Sequence, residues 1–188
     1  MVVGRDKGKT MKLLTNPLSK SGEIKQLFTK TFTDSEGRSE GTLIGALAHE
    51  LITDTNPEAL YCFVATDKEQ IVGCIIFSRL TFERDVNAFL LAPVAVHTNY
   101  QGQGIGQGLI TFGLNTIKED GVELAFTYGD PHFYAKVGFR PISEEIVKAP
   151  LTLTYPEGWL AQSLAGDQVE PIPGKSSCVE ALNKPAYW

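Results

Sequence analysis

The sequence is poor in cysteine, and its cysteines do not have the spacing of a metal site. Three occur among 188 residues, Cys62, Cys74 and Cys178. They are too few and too widely spaced for a disulfide scaffold or a CxxC-type zinc site. Cys62 and Cys74 stand in apolar stretches, so we expect them to pack as small buried hydrophobes. We therefore predict no bound metal and a reducing, cytoplasmic compartment.

Long apolar runs and an excess of positive charge are also missing. No run approaches the roughly 18–20 apolar residues that a bilayer-spanning helix needs. Seventeen Lys and Arg against 22 Asp and Glu give a net charge of -5. Such a balance provides no general attraction to nucleic acid or to an anionic membrane. Nucleic-acid and membrane partners are therefore not expected.

The composition is that of a globular domain, with 43% hydrophobic and 21% charged residues. A chain of this length can bury a core without disulfides. We expect a flexible tail or a remnant of cloning at 1–10 and a single domain over 11–188. The proline- and glycine-rich segment 150–188 is expected to be irregular and to pack on that domain. No pattern distinguishes a monomer from a homodimer.

The periodicity of apolar residues predicts helices mixed with strands. Helical spacing predicts helices over 20–32 and 42–51, with a loop at 33–37 between them. Two β-prone runs around the polar turn 67–70 predict a hairpin. The almost wholly apolar run 88–96 is typical of a strand buried on both faces. The remaining predicted elements are strands at 11–15, 122–128 and 151–155, and helices at 109–117 and 132–137.

Three residues predict where these helices begin and end. Gly121 is expected to terminate the helix at 109–117. Asp130 is expected to be the N-cap of the short helix that follows, with Pro131 as its first residue.

A glycine-rich segment, Gln101-Gly102-Gln103-Gly104-Ile105-Gly106, follows the buried strand and precedes a helix. Exposed N–H groups at a helix start bind phosphate oxygens, and glycines let a ligand approach the backbone. The glycine spacing does not match a dinucleotide-binding fingerprint, and the GK[ST] of a P-loop is absent. The pattern Q-x-x-G-x-G therefore predicts either a di- or triphosphate site or a loop of purely structural role.

Two segments resemble the GNAT superfamily of acetyl-CoA-dependent N-acetyltransferases. The stretch 94–106 is similar to the family's strand and [QR]-x-x-G-x-[GA] loop. The stretch 133–139, Phe-Tyr-Ala-Lys-Val-Gly-Phe, is similar to its F-Y-x-x-x-G-F signature. The strand 91–96 and Gly129-Asp130-Pro131 resemble the YhbS-like bacterial branch. The resemblance implies an α/β (α+β) fold with a mixed, twisted central sheet, splayed central strands and flanking helices.

The resemblance also implies a binding site for acetyl-CoA as co-substrate. Its pantetheine arm would pair with the backbone of Val94, Ala95 and Val96, as an added strand does. The segment after the strand would bind the pyrophosphate. The residues implied there are Gln101, Gly102, Gln103, Gly104, Ile105, Gly106, Gln107 and Gly108.

Tyr134 is the implied catalytic residue. An amine attacks the thioester carbonyl, and a phenol O–H can protonate or stabilise the departing thiolate. The implied activity is direct transfer of an acetyl group to a primary amine of a small molecule or a protein. A catalytically silent acyl-CoA-binding or sensor module is the alternative, and a nucleotide-binding regulator is a third.

The sequence departs from the family in two respects. Gln101, Gln103 and Gln107 stand in a loop where many members carry Arg or Lys. The stretch 87–92 offers no carboxylate base, which leaves Glu83, Asp85 or a water molecule. Further candidates for contacts with substrate or cofactor are the segment 33–41 as an acceptor pocket, His97, His132, Trp159, Tyr187 and Trp188.

Overall fold

The computed structural model describes residues 11–188, and the tail expected at 1–10 lies outside the described residues. Within them lie eight strands and four α-helices. The strands are β1 (Met11–Thr15), β2 (Leu60–Asp67), β3 (Gln70–Phe82), β4 (Ala88–Val96), β5 (Leu124–Tyr128), β6 (Arg140–Pro141), β7 (Trp159–Ser163) and β8 (Ser176–Ser177). The helices are α1 (Ser21–Glu36), α2 (Arg38–Asp54), α3 (Ile105–Glu119) and α4 (Pro131–Tyr134). In this part of the chain every helix is too short or too polar to cross a bilayer.

The strands form a mixed sheet in the order β1-β2-β3-β4-β5-β7-β6, and β8 pairs with β3. The neighbours β4 and β5 are parallel and are connected through α3. The pairs β1–β2, β5–β7 and β6–β7 are antiparallel. The expected mixed α/β fold is therefore confirmed.

The described chain divides into two compact units. One contains the residues up to Ile76 together with Pro93–Phe112, and the other contains Phe77–Ala92 and Gly113–Trp188. The unit boundaries fall inside β3, β4 and α3, so each of these elements contributes residues to both units. A single domain over 11–188 stays a prediction.

The loop predicted at 33–37 is wrong, because α1 continues to Glu36 and α2 starts at Arg38. Gly37 alone reverses the chain, with a φ of 99° that favours glycine. The two helices then pack closely through Gly41 and Gly45. A Cβ atom on Gly41 would collide with the side chain of Thr33 and the carbonyl of Thr29.

The predicted hairpin of β2 and β3 is confirmed, with a two-residue turn at Lys68 and Glu69. Both turn residues have positive φ angles, 48° and 69°, as favoured hairpin turns require. The hairpin brings Cys62 Sγ to 3.7 Å from Cys74 Sγ, and both side chains are fully buried as free thiols. Their prediction as buried packing residues is confirmed.

Helix α3 begins at Ile105, earlier than the predicted residue 109. The early start of this helix is difficult to predict from the sequence, because its first turn contains glycines and glycine is a weak helix former. Tertiary packing outweighs that weakness. A Cβ on Gly73 of β3 would lie 2.9 Å from Leu109 and 3.2 Å from Ile105, so the helix start lies directly against the strand. At the other end, Gly121 adopts a φ of 83° just beyond the helix and confirms the predicted stop.

The strand predicted at 151–155 is also wrong, and β7 (Trp159–Ser163) pairs with β5 instead. Trp159, Leu160 and Ala161 are all buried, as a strand between two neighbours requires. The segment 151–155 is held by side chains, since Tyr155 N–H donates to Tyr128 Oη at 2.7 Å. Segment 150–188 thus contributes β7 and β8 besides its irregular stretches.

Candidate active site

Strand β4 loses its parallel partner before it ends. Its register with β5 runs from Ala88 to Leu91, whereas the strand continues to Val96. Beyond Val96 the chain is still held on the β3 side, where His97 N–H donates to the Val72 carbonyl at 2.8 Å. A strand end of this kind can accept an extended ligand as an additional strand.

The glycine loop leads from this strand to α3 with two residues in the left-handed region. Gly102 has a φ of 72° and Gly104 a φ of 76°. A Cβ atom at Gly102, Gly104 or Gly108 would meet no atom within 4 Å. The open space at these three positions lets a ligand approach the backbone, and the turn geometry itself favours glycine.

The first turn of α3 provides backbone N–H groups as hydrogen-bond donors. Gly108 N–H donates to the Gly104 carbonyl at 2.9 Å, which is the first bond of the helix. The N–H groups of Ile105, Gly106 and Gln107 belong to the first turn, where a helix has no internal acceptors for them. Together with the helix dipole, these groups can bind an anion.

Two of the loop glutamines stabilise the loop itself. Gln101 Nε2 donates to the Val96 carbonyl at 3.0 Å, and Gln103 Nε2 donates to the Asn99 carbonyl at 3.3 Å. An arginine or a lysine with its charge directed at a ligand would not make these bonds. The neutral residues that depart from the family pattern therefore have a structural reason.

Two carboxylates anchor the segment just before the loop. Thr98 Oγ1 donates to Asp34 Oδ2 of α1 at 2.7 Å, and Tyr100 Oη donates to Asp67 Oδ2 at the end of β2 at 3.0 Å. The hydrogen bond from Thr98, and after it the one from Lys30, lowers the pKa of Asp34. The hydrogen bond to Asp67 raises the pKa of Tyr100. Sequence reasoning missed both anchors, because their partners are 64 and 33 residues apart.

Tyr134 lies in α4, in the second of the two units. The predicted cap is confirmed, since Asp130 Oδ1 accepts the His132 N–H at 2.9 Å. The Tyr134 ring packs against Phe139 at 5.8 Å between centroids and against Gly129, where a Cβ would lie 2.8 Å from the ring. Burial, with a smaller contribution from Asp130, raises the pKa of Tyr134. The side chain is therefore a fixed, protonated phenol at neutral pH.

Thr127, which sequence reasoning also missed, lowers the pKa of Tyr134 by hydrogen bonding and so opposes the larger effect of burial. Thr127 is fully buried on β5, and its Oγ1 donates to the Leu91 carbonyl at 2.8 Å. The bond joins the last residue pair of the parallel register between β4 and β5.

Glu83 and Asp85, the candidate bases, lie before the amino end of β4 and are exposed. At that end Asn87 N–H donates to Glu123 Oε2, next to the first residue of β5. Tyr134 instead lies in α4, which follows the carboxyl end of β5. The structure therefore does not bring Glu83 or Asp85 to the Tyr134 hydroxyl.

The other candidates have structural explanations or remain on the surface. His97 Nδ1 accepts the Asn99 N–H at 3.2 Å and so caps the turn before the loop. His132 is exposed. Trp159 and Trp188 are buried and pack against each other at 6.1 Å, which places them in the core of the second unit. The segment 33–41 is helical on both sides of Gly37, so it is not the loop that was expected.

No group of three or more His, Cys, Asp or Glu within 11–188 is arranged to hold a metal ion.

Comparison with known sequences connects this geometry to a family. The family model "Acetyltransferase (GNAT) domain" matches residues 58–141, which include β4, the glycine loop and Tyr134. The chain is 27% identical over 168 residues to the uncharacterised N-acetyltransferase YjhQ of Escherichia coli K12, covering 86% of this chain and 88% of YjhQ. It is 38% identical over 79 residues to YhbS of the same strain, covering 41% of this chain and 47% of YhbS.

Solved structures give the same result for the fold. The crystal structure of E. coli YhbS in complex with CoA superposes with a TM-score of 0.82 at 25% identity, over 97% of both chains. A GNAT acetyltransferase of Brucella melitensis in complex with acetyl-CoA has the same fold, with a TM-score of 0.71 at 22% identity over 92% of this chain and 97% of that one. Family match, relatives and fold therefore agree: residues 58–141 match the GNAT acetyltransferase domain, and the chain is similar in sequence and fold to GNAT N-acetyltransferases.

Proposed function

We propose that this protein transfers the acetyl group of acetyl-CoA to a primary amine of a small molecule or a protein. The observation that carries the proposal is the glycine loop, where Gly102 and Gly104 leave open space before the first turn of α3. E. coli YhbS, which has the same fold, was crystallised with CoA. The match of residues 58–141 to the GNAT acetyltransferase domain supports the reaction type.

The binding site would use backbone groups more than side chains. The N–H groups from Gln103 to Gln107 would donate to the pyrophosphate oxygens, and Gln101 and Gly102 would shape the turn. Gly108, whose own N–H is engaged within α3, would contribute the space left by its missing side chain. The pantetheine arm would pair with the backbone of Val94–Val96, where β4 has left the register of β5.

Tyr134 would act as the general acid. The amine nitrogen bonds to the thioester carbonyl carbon, the carbon–sulfur bond breaks, and the sulfur takes the phenol proton. The new amide nitrogen loses a proton to water, and solvent returns a proton to the phenolate. A raised pKa keeps this phenol protonated at neutral pH, which suits a donor. No carboxylate base is assigned, so the acceptor enters as the free amine.

The first test is ligand-induced stabilisation by acetyl-CoA, compared with CoA, ATP and NAD. A ligand at about 100 times its Kd stabilises a protein by about 2.7 kcal/mol. For a chain of this length the melting temperature rises by roughly 5–10 °C. We expect this shift with acetyl-CoA and CoA but not with NAD.

A matched variant makes the test specific to the loop. Gly104→Val places a branched side chain at a φ of 76° and in the space left for the ligand. It should lose the shift with acetyl-CoA. Gly22→Ala, at a position with open space in α1, should keep it. Absence of a shift in the wild-type protein at millimolar acetyl-CoA would reject the proposed site, and absence of thiol release with a panel of amines would reject the transfer.

A further inference from the structure

A cavity of about 420 Å³ is lined by the short strand β6 and lies entirely within the second unit. Its walls come from two segments, 138–146 around β6 and 161–169 at the end of β7. Within 11–188, neither Tyr134 nor the glycine loop belongs to its lining. Sites for small molecules typically have volumes of roughly 300–1,000 Å³. The cavity is therefore large enough for a ligand, and it shares no lining residue with the site proposed for acetyl-CoA.

The lining contains one positive and one negative side chain, Arg140 and Asp167. Both are exposed, and neither forms an ion pair within the part of the chain that the structure describes. Arg140 belongs to the segment around β6, whereas Asp167 follows β7. Because the two charges line one cavity without pairing with each other, a ligand that has both a negative and a positive group can bind between them.

Two serine hydroxyls of the lining are held in place as hydrogen-bond donors. Ser143 Oγ accepts the Glu145 N–H at 3.0 Å, and Ser163 Oγ accepts the Gly166 N–H at 3.0 Å. A hydroxyl that accepts in this way still has its own proton to donate. Neither proton has an acceptor among the described residues. The two hydroxyls therefore favour a ligand with acceptor oxygens.

The rest of the lining combines an amide with apolar side chains. Gln162 Oε1 is buried and has no hydrogen-bond donor within 11–188, although buried polar groups are normally paired. Ile142, Ile146 and Val169 add a half-buried apolar surface to the same cavity. This combination suits a ligand with a polar end and an apolar side chain.

We propose that this cavity binds an α-amino acid with an apolar side chain, held between Arg140 and Asp167. The carboxylate of the ligand accepts from the Arg140 guanidinium and the Ser143 hydroxyl, and its ammonium group donates to Asp167. Its side chain packs against Ile142 and Ile146. A simple anion is repelled by Asp167 and a simple amine by Arg140, whereas a zwitterion satisfies both. The inference does not depend on acetyl transfer, since the lining contains no residue of the proposed active site.

Titration calorimetry with the whole protein, in the absence of acetyl-CoA, tests which charges the cavity recognises. The probes are leucine, leucinamide, which lacks the carboxylate, and isocaproate, which lacks the ammonium group. We expect leucine to bind roughly tenfold or more tightly than either of the others, the size of one hydrogen bond to a charged group. No binding of leucine at millimolar concentration would overturn the proposal, as would binding of leucinamide or isocaproate that is equal or tighter.

Charge-removing variants test the two side chains. Arg140→Gln and Asp167→Asn should each weaken leucine binding roughly tenfold or more. Arg140→Gln should leave the binding of leucinamide no weaker, because that ligand has no carboxylate for the guanidinium. Arg84→Gln and Asp120→Asn are the matched controls, since both residues are exposed in the second unit and outside the cavity lining. An equal loss of leucine binding in the controls would indicate an effect of net charge and overturn the assignment.

Two crossed measurements separate this inference from the proposed function. Arg140→Gln should keep the melting-temperature shift with acetyl-CoA, and Gly104→Val should lose that shift but still bind leucine. Loss of leucine binding in Gly104→Val would place leucine in the acetyl-CoA site and overturn the cavity as its binding site. If the wild-type protein binds leucine but not acetyl-CoA, the proposed function fails and this inference stands.

Discussion

At the scale of single residues, burial determines the chemistry of Tyr134. Removal from water and the nearby Asp130 both favour the neutral phenol, whereas the bond with Thr127 opposes them. The net effect is a raised pKa, so the side chain is a donor throughout the physiological pH range. The same position in an exposed loop would titrate near its ordinary value of about 10.

Tyr134→Phe should lower kcat by about a hundredfold or more, which is the usual contribution of a positioned general acid. Acetyl-CoA affinity should change little, because the phenyl ring and its packing remain. Steady-state kinetics together with titration calorimetry measure both quantities. Tyr155→Phe is the control, since Tyr155 is 65% exposed, and it should behave like the wild type. An unchanged kcat in Tyr134→Phe would remove Tyr134 from the mechanism.

The raised pKa predicts the shape of the pH profile. A phenol whose pKa lies above its ordinary value keeps its proton to a higher pH, so the donor is not lost below about pH 10. The acceptor amine is activated as it loses its own proton. We therefore expect kcat/KM to rise with pH and then remain level up to about pH 10. A fall below about pH 9 that disappears in Tyr134→Phe would contradict this assignment.

At the scale of elements, glycines allow close approach as well as ligand access. Gly41 of α2 lies against Thr29 and Thr33 of α1 without room for a methyl group. A Cβ on Gly73 of β3 would lie 2.9 Å from the end of the Leu109 side chain of α3, which would have to shift. The helix pair is thus positioned by a contact in which only glycine fits, and the start of α3 packs closely over a glycine of β3.

Gly41→Ala should destabilise the protein by roughly 1–3 kcal/mol, because a Cβ would collide with backbone as well as side-chain atoms and overpack the helix pair. Gly22→Ala, in α1 with open space around its Cβ position, should leave stability unchanged or raise it slightly. Urea unfolding of both variants provides the comparison. Equal stability of the two would show that α1 and α2 separate at little cost.

The hydrogen bond between Tyr100 and Asp67, which anchors the segment before the glycine loop, can be tested by mutation. Tyr100→Phe removes the bond to Asp67, a carboxylate that is only 6% exposed and whose Oδ1 has no partner within 11–188. Losing a hydrogen bond to a largely buried carboxylate is destabilising, because the carboxylate oxygen is left without that donor. We expect a lower melting temperature and a several-fold weaker acetyl-CoA affinity, with kcat at saturation preserved. A fall in kcat at unchanged affinity would contradict an anchoring role, and Tyr155→Phe again serves as the control.

At the scale of the whole molecule, the net charge is -5. The loop proposed for the CoA pyrophosphate would bind it with backbone groups, next to neutral glutamines. A protein of this charge attracts cationic amines and repels polyanions over about one Debye length, ~10 Å at 0.1 M salt. We therefore expect the affinity for acetyl-CoA to come from short-range donors at the start of α3.

Salt should therefore act in opposite directions on the two substrates. Between about 0.05 and 0.5 M NaCl, acetyl-CoA affinity should stay constant or rise slightly, because long-range repulsion is screened. KM for a cationic amine should increase. Calorimetry and steady-state kinetics at both salt concentrations measure this, and NaCl is compared with sucrose at equal osmolality as a control. A steep loss of acetyl-CoA affinity with salt would indicate that lysine or arginine side chains bind the phosphates.

Local sequence determined several features of this protein without further information. The hairpin turn, the Asp130 cap and the glycine stop at Gly121 are encoded within a few residues, and each was predicted correctly. The two motifs were also sufficient to predict the similarity to GNAT acetyltransferases. The roles assigned to Val94–Val96, 101–108 and Tyr134 stay predictions until acetyl-CoA binding and turnover are measured.

Tertiary structure alone decided the remaining features, because they depend on partners far apart in the chain. Segment 159–163, and not 151–155, became the strand beside β5, since only its residues suit a position buried between two neighbours. Helix α3 begins within the glycine-rich segment because Gly73 of β3 has no side chain and so leaves space for the side chain of Leu109. The Thr127 hydroxyl reaches the Leu91 carbonyl only after β4 and β5 have paired, so no short sequence motif predicts this bond.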